Sequence, residues 1–279
     1  MLDYRRGAYV FDLLDEGPSD GAVVVLLHGH PQTKSSWDAV IPRLTASGYR
    51  CLAPDQRGRS PASRPKRIRD YRARELVEDI RALIEHFGQR RVHVVGHDWG
   101  ALVAWSVAAR YPERLASLTA LSGPHPSALQ VAMMTSRQAF ASWYAYAYLV
   151  PRFFEWWHLG SGRDGARLVR SLVAGGQSAE HAERDVRAMV APGAYTAALN
   201  WYRAAPLAGR VGRVDVPAMY VWSDGDKYIR ESAARRCGRY VTAEYRFEIH
   251  HGMSHWMPDQ HPELVADLLL DWFASHPDK

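Results

Sequence analysis

Three side chains in this 279-residue chain have the types and the order to make and break an ester: Asp98, Asp226 and His255. Asp98 lies in Val94-Val95-Gly96-His97-Asp98-Trp99-Gly100-Ala101, where an apolar strand pattern runs into Gly-x-Asp-x-Gly and a helical pattern follows. Small residues at Gly96 and Gly100 let a strand turn sharply into a helix and push the central side chain out at the end of the sheet. An aspartate here could instead serve only as the N-cap of that helix. Its chemistry argues for more. A carboxyl with an ordinary pKa of about 3.9 is already ionised at neutral pH and needs no base in order to attack. A carboxylate that attacks a saturated carbon forms an ester, whose carbonyl water can attack in turn. A serine attacking the same carbon would form an inert ether. An aspartate in such a turn therefore points to displacement at an sp³ carbon.

The second step needs a base for water. His255, in Gly252-Met253-Ser254-His255-Trp256, follows the last strand pattern, and Asp226, in Trp222-Ser223-Asp224-Gly225-Asp226, follows the one before it. Each comes after the carboxyl end of a strand, where open α/β sheets place their sites. Asp224 is a competing acid, but Asp226 sits further into the loop. His250 and His251 compete with His255, but they abut the strand end. No HExxH or matched carboxylate set accompanies these histidines, so no metal is expected. After the first long apolar run comes Leu27-His28-Gly29-His30-Pro31-Gln32. A His-Gly turn there can aim a backbone N–H at the site, and with the N–H of Trp99 it would form an oxyanion hole.

These loops need a scaffold, and the chain supplies one by alternation. Apolar runs at 22–27, 50–54, 92–95, 115–121, 218–222 and 245–249 read as strands. Between them lie helical periods, such as Leu76, Val77, Ile80, Leu83, Ile84 and Phe87, with Gly88 where a C-terminal cap belongs. Near the end Leu264, Val265, Leu268, Leu269 and Trp272 form another stripe, opened by Pro262. Such alternation predicts a mainly parallel sheet with helices on both faces. The stretch from about Pro124 to Gly209 breaks the rhythm. It has no clear strand, it is rich in aromatic residues, and its periodicity is helical, so it reads as a helical insert over the sheet.

Composition sets the outer limits. The chain is 47% hydrophobic and 23% charged, enough for a large core and too little charge for wholesale disorder. The formal net charge is +5, but the basic residues are scattered. The densest run, Arg64 to Arg74, reads as a solvated loop and first helical turn rather than a nucleic-acid surface. No stretch approaches the ~20 apolar residues of a membrane span, and no secretory signal is expected. Cys51 and Cys237 lack metal-type spacing and read as reduced packing residues, consistent with a cytoplasmic protein.

Five stretches together resemble the epoxide hydrolase and haloalkane dehalogenase branch of the α/β-hydrolases: HGHP at 28–31, DQRGRSP at 55–61, GHDWG at 96–100, SGPHP at 122–126 and LNWYRA at 199–204. The resemblance implies a mostly parallel sheet of about eight strands. The core domain would be 1–124 and 210–279, with a helical cap domain of 125–209 inserted after the sixth strand. It implies an epoxide hydrolase acting through an ester on Asp98, with His30 and Trp99 as oxyanion donors and no cofactor. An opening epoxide develops a strongly basic alkoxide and needs an acidic O–H, which cap tyrosines supply in the family. Tyr202 matches one of them. The other falls near Ala147, which leaves Tyr144, Tyr146 and Tyr148 as candidates, Tyr146 first. His30, Trp99, Trp143, Tyr144, Trp201 and Trp256 are expected to contact a small apolar, epoxide-bearing substrate. No nucleic-acid or membrane partner is expected, and the chain would be a monomer or homodimer. The alternatives are dehalogenase-type hydrolysis of a carbon–halogen bond, or a ligand-binding protein of this fold with little catalysis.

Overall fold

The apolar runs become the interior of one sheet. In the computed structural model, which describes residues 2–88, 91–160 and 164–278, eight strands pair in the order β1-β2-β4-β3-β5-β6-β7-β8. They are β1 Leu2–Arg6, β2 Tyr9–Glu16, β3 Val23–Leu27, β4 Arg50–Pro54, β5 Val92–His97, β6 Leu115–Leu121, β7 Ala218–Ser223 and β8 Tyr245–His250. From β4 to β8 every pairing is parallel. β3, β5, β6 and β7 are buried along their whole length, as strands covered on both faces must be. β1 and β2 form an antiparallel edge, where Tyr4 pairs with Phe11 and stacks on it at 4.8 Å.

The helices in chain order are α1 Ile41–Ala46, α2 Ala73–His86, α3 Trp99–Arg110, α4 Pro126–Thr135, α5 Gln138–Ala141, α6 Trp143–Ala147, α7 Phe153–Leu159, α8 Ala166–Ala174, α9 Ala179–Met189, α10 Ala194–Ala204, α11 Glu231–Ala234, α12 Met257–Gln260 and α13 Pro262–Ser275. α2 turns Leu76, Val77, Ile80, Leu83 and Ile84 inward and ends before Gly88, whose φ of +67° suits a residue without Cβ. One core layer packs α2, α3 and α4 against the sheet, and the other packs α1 and α13 against its opposite face. α4 through α10 all lie between β6 and β7. A third apolar cluster, from Tyr148 to Tyr202, fills these inserted helices and closes on Trp256 of the core.

Candidate active site

The turn from β5 into α3 is as tight as the two glycines suggested. A Cβ on Gly96 would strike the Gly100 backbone, and one on Gly100 would strike the Leu27 carbonyl. Gly123 lies equally close, against the Asp98 carbonyl. Asp98 at the apex has φ 52°, ψ −118°, a strained region for a residue with a Cβ. Its side chain makes no N-cap hydrogen bond to α3. It points instead into the gap above the sheet, where Oδ1 accepts from the His30 amide at 2.8 Å. A Cβ at Gly29 would meet the Asp98 side chain at 2.7 Å, so only glycine lets that loop come so near.

The other two strand ends complete the set. His255 Nδ1 lies 2.8 Å from Asp226 Oδ2, and His255 Nε2 lies 3.5 Å from Asp98 Oδ2. Asp226 Oδ1 accepts from the Tyr228 and Ile229 amides at 2.7 and 3.0 Å, which fixes the carboxylate. Asp224 does different work: it takes the exposed His251 ring at 2.7 Å and the Gly252 amide at 2.7 Å, and so ties the loop after β7 to the loop after β8. His250 stands at the end of β8, away from these groups. Among the described residues no cluster of three or more His, Cys, Asp or Glu is disposed to hold a metal.

Charge is arranged as the geometry requires. Burial alone would push the His255 pKa down, but the Asp226 carboxylate, aided by Asp98, raises it to about 10. Burial would likewise push Asp98 up, and the neighbouring His255 outweighs it, holding the carboxyl near about 2. The resting pair is therefore imidazolium beside carboxylate.

Asp98, Asp226 and His255 thus stand after β5, β7 and β8 in chain order. A family model described as "alpha/beta hydrolase fold" matches residues 22–262. The chain belongs to the α/β-hydrolase fold family. It is 33% identical to "AB hydrolase superfamily protein YfhM" of Bacillus subtilis, over 93% of this chain and 92% of that one. It is 30% identical to "Epoxide hydrolase 3" of Xenopus tropicalis, over 95% of this chain and 75% of the relative. The crystal structure of epoxide hydrolase A from Mycobacterium thermoresistibile superposes with a TM-score of 0.85 at 25% identity, covering 99% of this chain and 98% of that one.

In this α/β hydrolase a cavity of about 260 Å³ opens above Asp98, lined by His30, Tyr144, Tyr148, Tyr202, Tyr228, His255 and Trp256, among others. Burial is the main reason that Tyr144 and Tyr202 are held far above the usual phenol range, and the Asp98 charge pushes both in the same direction. Both stay protonated donors. Trp143 borders the cavity while remaining 63% exposed, so it stands at the mouth. His30 Nδ1 faces the Arg59 guanidinium at 3.4 Å, and its Nε2 is buried with no partner among the described residues.

Three expectations need correction. Tyr146 is 53% exposed and does not border the cavity, because it sits on the opposite side of the one-turn helix α6 from Tyr144. Trp201 is buried behind the wall: its indole N–H donates to the Arg57 carbonyl at 2.8 Å, and its ring meets Trp99 edge-on. Trp99 also stays out of the lining, packed between Trp201 and Tyr202 at 5.8 and 4.9 Å.

Sequence reasoning missed a chain of buried contacts beneath the site. Arg184 of α9 holds both carboxylate oxygens of Asp259 at 2.9 and 3.0 Å. Asp259 accepts from Gln32 Nε2 at 2.8 Å, Gln32 Oε1 lies 2.9 Å from His97 Nδ1, and His97 Nε2 lies 2.8 Å from the His255 carbonyl. An inserted helix is thus wired to the loops that carry His30, Asp98 and His255. The Asn-Trp-Tyr-Arg run has a similar task. Beside Tyr202, Arg203 binds the Tyr148 and Val150 carbonyls and Glu155, and so fixes the segment that presents Tyr148.

Proposed function

We propose that this hydrolase opens an epoxide to a vicinal diol through a covalent ester on Asp98, with the inserted helices acting as a cap domain over the site. The observation that carries the reading is Asp98 itself: ionised, held by the His30 amide, within 3.5 Å of His255, and roofed by phenol groups. Asp98 Oδ2 attacks one oxirane carbon and the C–O bond breaks. Tyr202 and Tyr144 hydrogen-bond to the departing oxygen, and one of them gives it the proton that makes the first hydroxyl; the tyrosinate left behind recovers a proton from the His255 imidazolium once the ester has formed. Tyr144 replaces Tyr146 in this role because its hydroxyl shares the cavity with Tyr202 and Asp98.

Ester formation then changes the base. Asp98 loses its charge, so one of the two carboxylates that hold the proton on His255 is gone, and the histidine pKa falls. Neutral His255, oriented by Asp226, takes a proton from water. The hydroxide adds to the Asp98 carbonyl carbon, and the amides of His30 and Trp99 receive the oxyanion. Collapse releases the diol and restores the carboxylate. The names of the relatives point the same way, since several are epoxide hydrolases. The cavity favours an epoxide over a halide because its roof offers phenol O–H groups, which a departing alkoxide needs and a halide does not.

The test is the variant His255→Gln mixed with styrene oxide. It should form the ester and fail to release it, so the peptide bearing Asp98 gains the mass of the epoxide. An unmodified peptide, with no diol from the unaltered protein, would sink the covalent route.

A further inference from the structure

Thirteen large apolar side chains stand exposed among the described residues, and nine of them fall between Met134 and Trp157. A single stretch of the insert therefore carries most of the protein's outward apolar surface. Its rings are Phe140, Trp143, Tyr146, Phe153, Trp156 and Trp157, from 45% to 79% exposed. Phe153 stacks on Trp157 at 6.2 Å, and Trp156 lies 6.3 Å from Trp157, so these rings pack on one another outside the core. Trp143, another of these exposed rings, borders the cavity. Patches of this kind mark surfaces of interaction.

The charges around it select the partner. Arg137, Arg152, Arg167 and Arg170 are exposed along the same stretch, and Arg167 lies over the Trp157 ring at 4.9 Å. Glu155 is taken up by Arg203, and Asp164 is the one exposed acid among the described residues of 137–170. A second copy docked about a twofold axis would bring a second set of these arginines into the same interface. A bilayer surface meets the pattern better. Trp and Tyr settle at the headgroup level, apolar rings enter the acyl boundary, and arginines meet anionic headgroups. Among the described residues no helix is long and apolar enough to cross a membrane, so the proposed contact is from one side.

Although the sequence predicts no membrane partner, we propose that the face carrying Arg152, Phe153, Trp156, Trp157 and Arg167 adsorbs to bilayers with anionic headgroups, with the cavity mouth near the lipid. Adsorption of this kind does not depend on which bond the pocket breaks. It gives an apolar substrate dissolved in the bilayer a short path to Asp98.

The experiment is cosedimentation of the full chain with phosphatidylglycerol–phosphatidylcholine vesicles and with pure phosphatidylcholine vesicles. The unaltered protein should pellet with the anionic vesicles and release as salt rises. Trp156→Ser with Trp157→Ser, and separately Arg152→Glu with Arg167→Glu, should each weaken binding at least tenfold at unchanged melting temperature. The arginine pair tests the idea even if the tryptophan pair fails to fold. No binding to anionic vesicles at low salt would overturn it, as would equal binding by the arginine variant. A solution dimer by light scattering that the arginine or tryptophan changes dissociate would also overturn it, and would give the patch to a second copy.

Discussion

The floor of the cavity and its roof are built by different physics. The floor is three strand ends and one loop, and backbone geometry places each reactive group. Asp98 sits where φ is 52° because Gly96, Gly100 and Gly123 leave no other course for the chain. Asp226 is held by two amides of its own loop. The roof is short helices whose tyrosines are placed by packing, ring against ring, with Tyr202 5.0 Å from Tyr148 and 6.1 Å from Tyr144. A floor residue has one position open to it. A roof residue owes its position to neighbours from several segments, as Tyr202 does to the rings of His30, Trp99, Tyr144 and Tyr148. The floor should therefore be sensitive to any change of side chain, and the roof should be sensitive mainly where a hydroxyl is lost.

The sharpest test of the floor is Asp98→Ala. Without the carboxylate no ester forms, and steady-state diol production should fall on the order of 10⁴-fold or more. The fold should persist, since Asp98 caps nothing. Turnover within tenfold of the unaltered protein would mean that the elbow only positions another group.

Floor and roof should also separate by step. Tyr202→Phe and Tyr144→Phe remove a proton donor and should slow ester formation by about 10²-fold each, measured by single-turnover mixing. Neither should slow ester hydrolysis, which belongs to the floor. If either change slowed hydrolysis instead, the division of labour between the two regions would fail. Tyr148→Phe should do less, because Tyr148 does not register the Asp98 charge.

The pH dependence follows the same division. In the free protein His255 carries its proton up to about 10. As base it must be neutral, and a protonated ring cannot accept from water. The rate of ester hydrolysis should rise with pH through the His255 pKa of the ester, and that midpoint should lie below 10 because the Asp98 charge is gone. Ester formation needs ionised Asp98, held at about 2, and protonated Tyr202 and Tyr144, both raised well above the usual phenol range, so it should be flat through neutral pH. Stopped-flow traces between pH 6 and 10 would show the two profiles. A midpoint for hydrolysis at or above 10 would remove the charge-release argument.

The same contrast decides what could be read in the sequence. The floor was legible because a sharp turn restricts residue types, and Gly-His-Asp-Trp-Gly after an apolar run is such a restriction. The central strands were legible as continuous apolar runs, all buried in the fold. β1 and β2 were not, since an edge pair with one wet face alternates, as in the half-buried Tyr9–Glu16, and leaves no run. In the roof the insert was visible as helical and aromatic, but α6 is only five residues long and offers no repeat from which to choose a face. Spacing holds a usable signal there: Tyr144 and Tyr148 are four apart and share a face, while Tyr146 cannot share it. The Arg184 chain was invisible for another reason. Its links join residues 75 and 227 positions apart, and nothing local marks them.

That chain is where floor and roof meet, and Arg184→Met should sharpen the comparison. Arg184 bonds Asp259 from α9, and it also holds Asp185, whose burial pushes it up to about 7. Removing the guanidinium leaves two buried carboxylates facing each other without it. Breaking such a pair costs on the order of 3 kcal/mol, visible as a lower melting temperature. Because Gln32 bonds Asp259 and His97 bonds Gln32 and the His255 carbonyl, hydrolysis should slow by several-fold more than ester formation, and Arg184→Lys should recover part of it. Equal slowing of both steps would make Arg184 a stabiliser of the roof alone.

The smallest effect belongs to Tyr146→Phe. Tyr146 and Tyr144 lie two residues apart on α6, yet one faces solvent and the other the cavity. Loss of the Tyr146 hydroxyl should change neither step by more than about twofold, while the same change at Tyr144 costs about a hundredfold. The pair is a matched control, with one helix, one residue type and one atom removed. If Tyr146→Phe were the damaging change, α6 would have to be rotated by about half a turn, and the roof described here would be wrong while the floor stood.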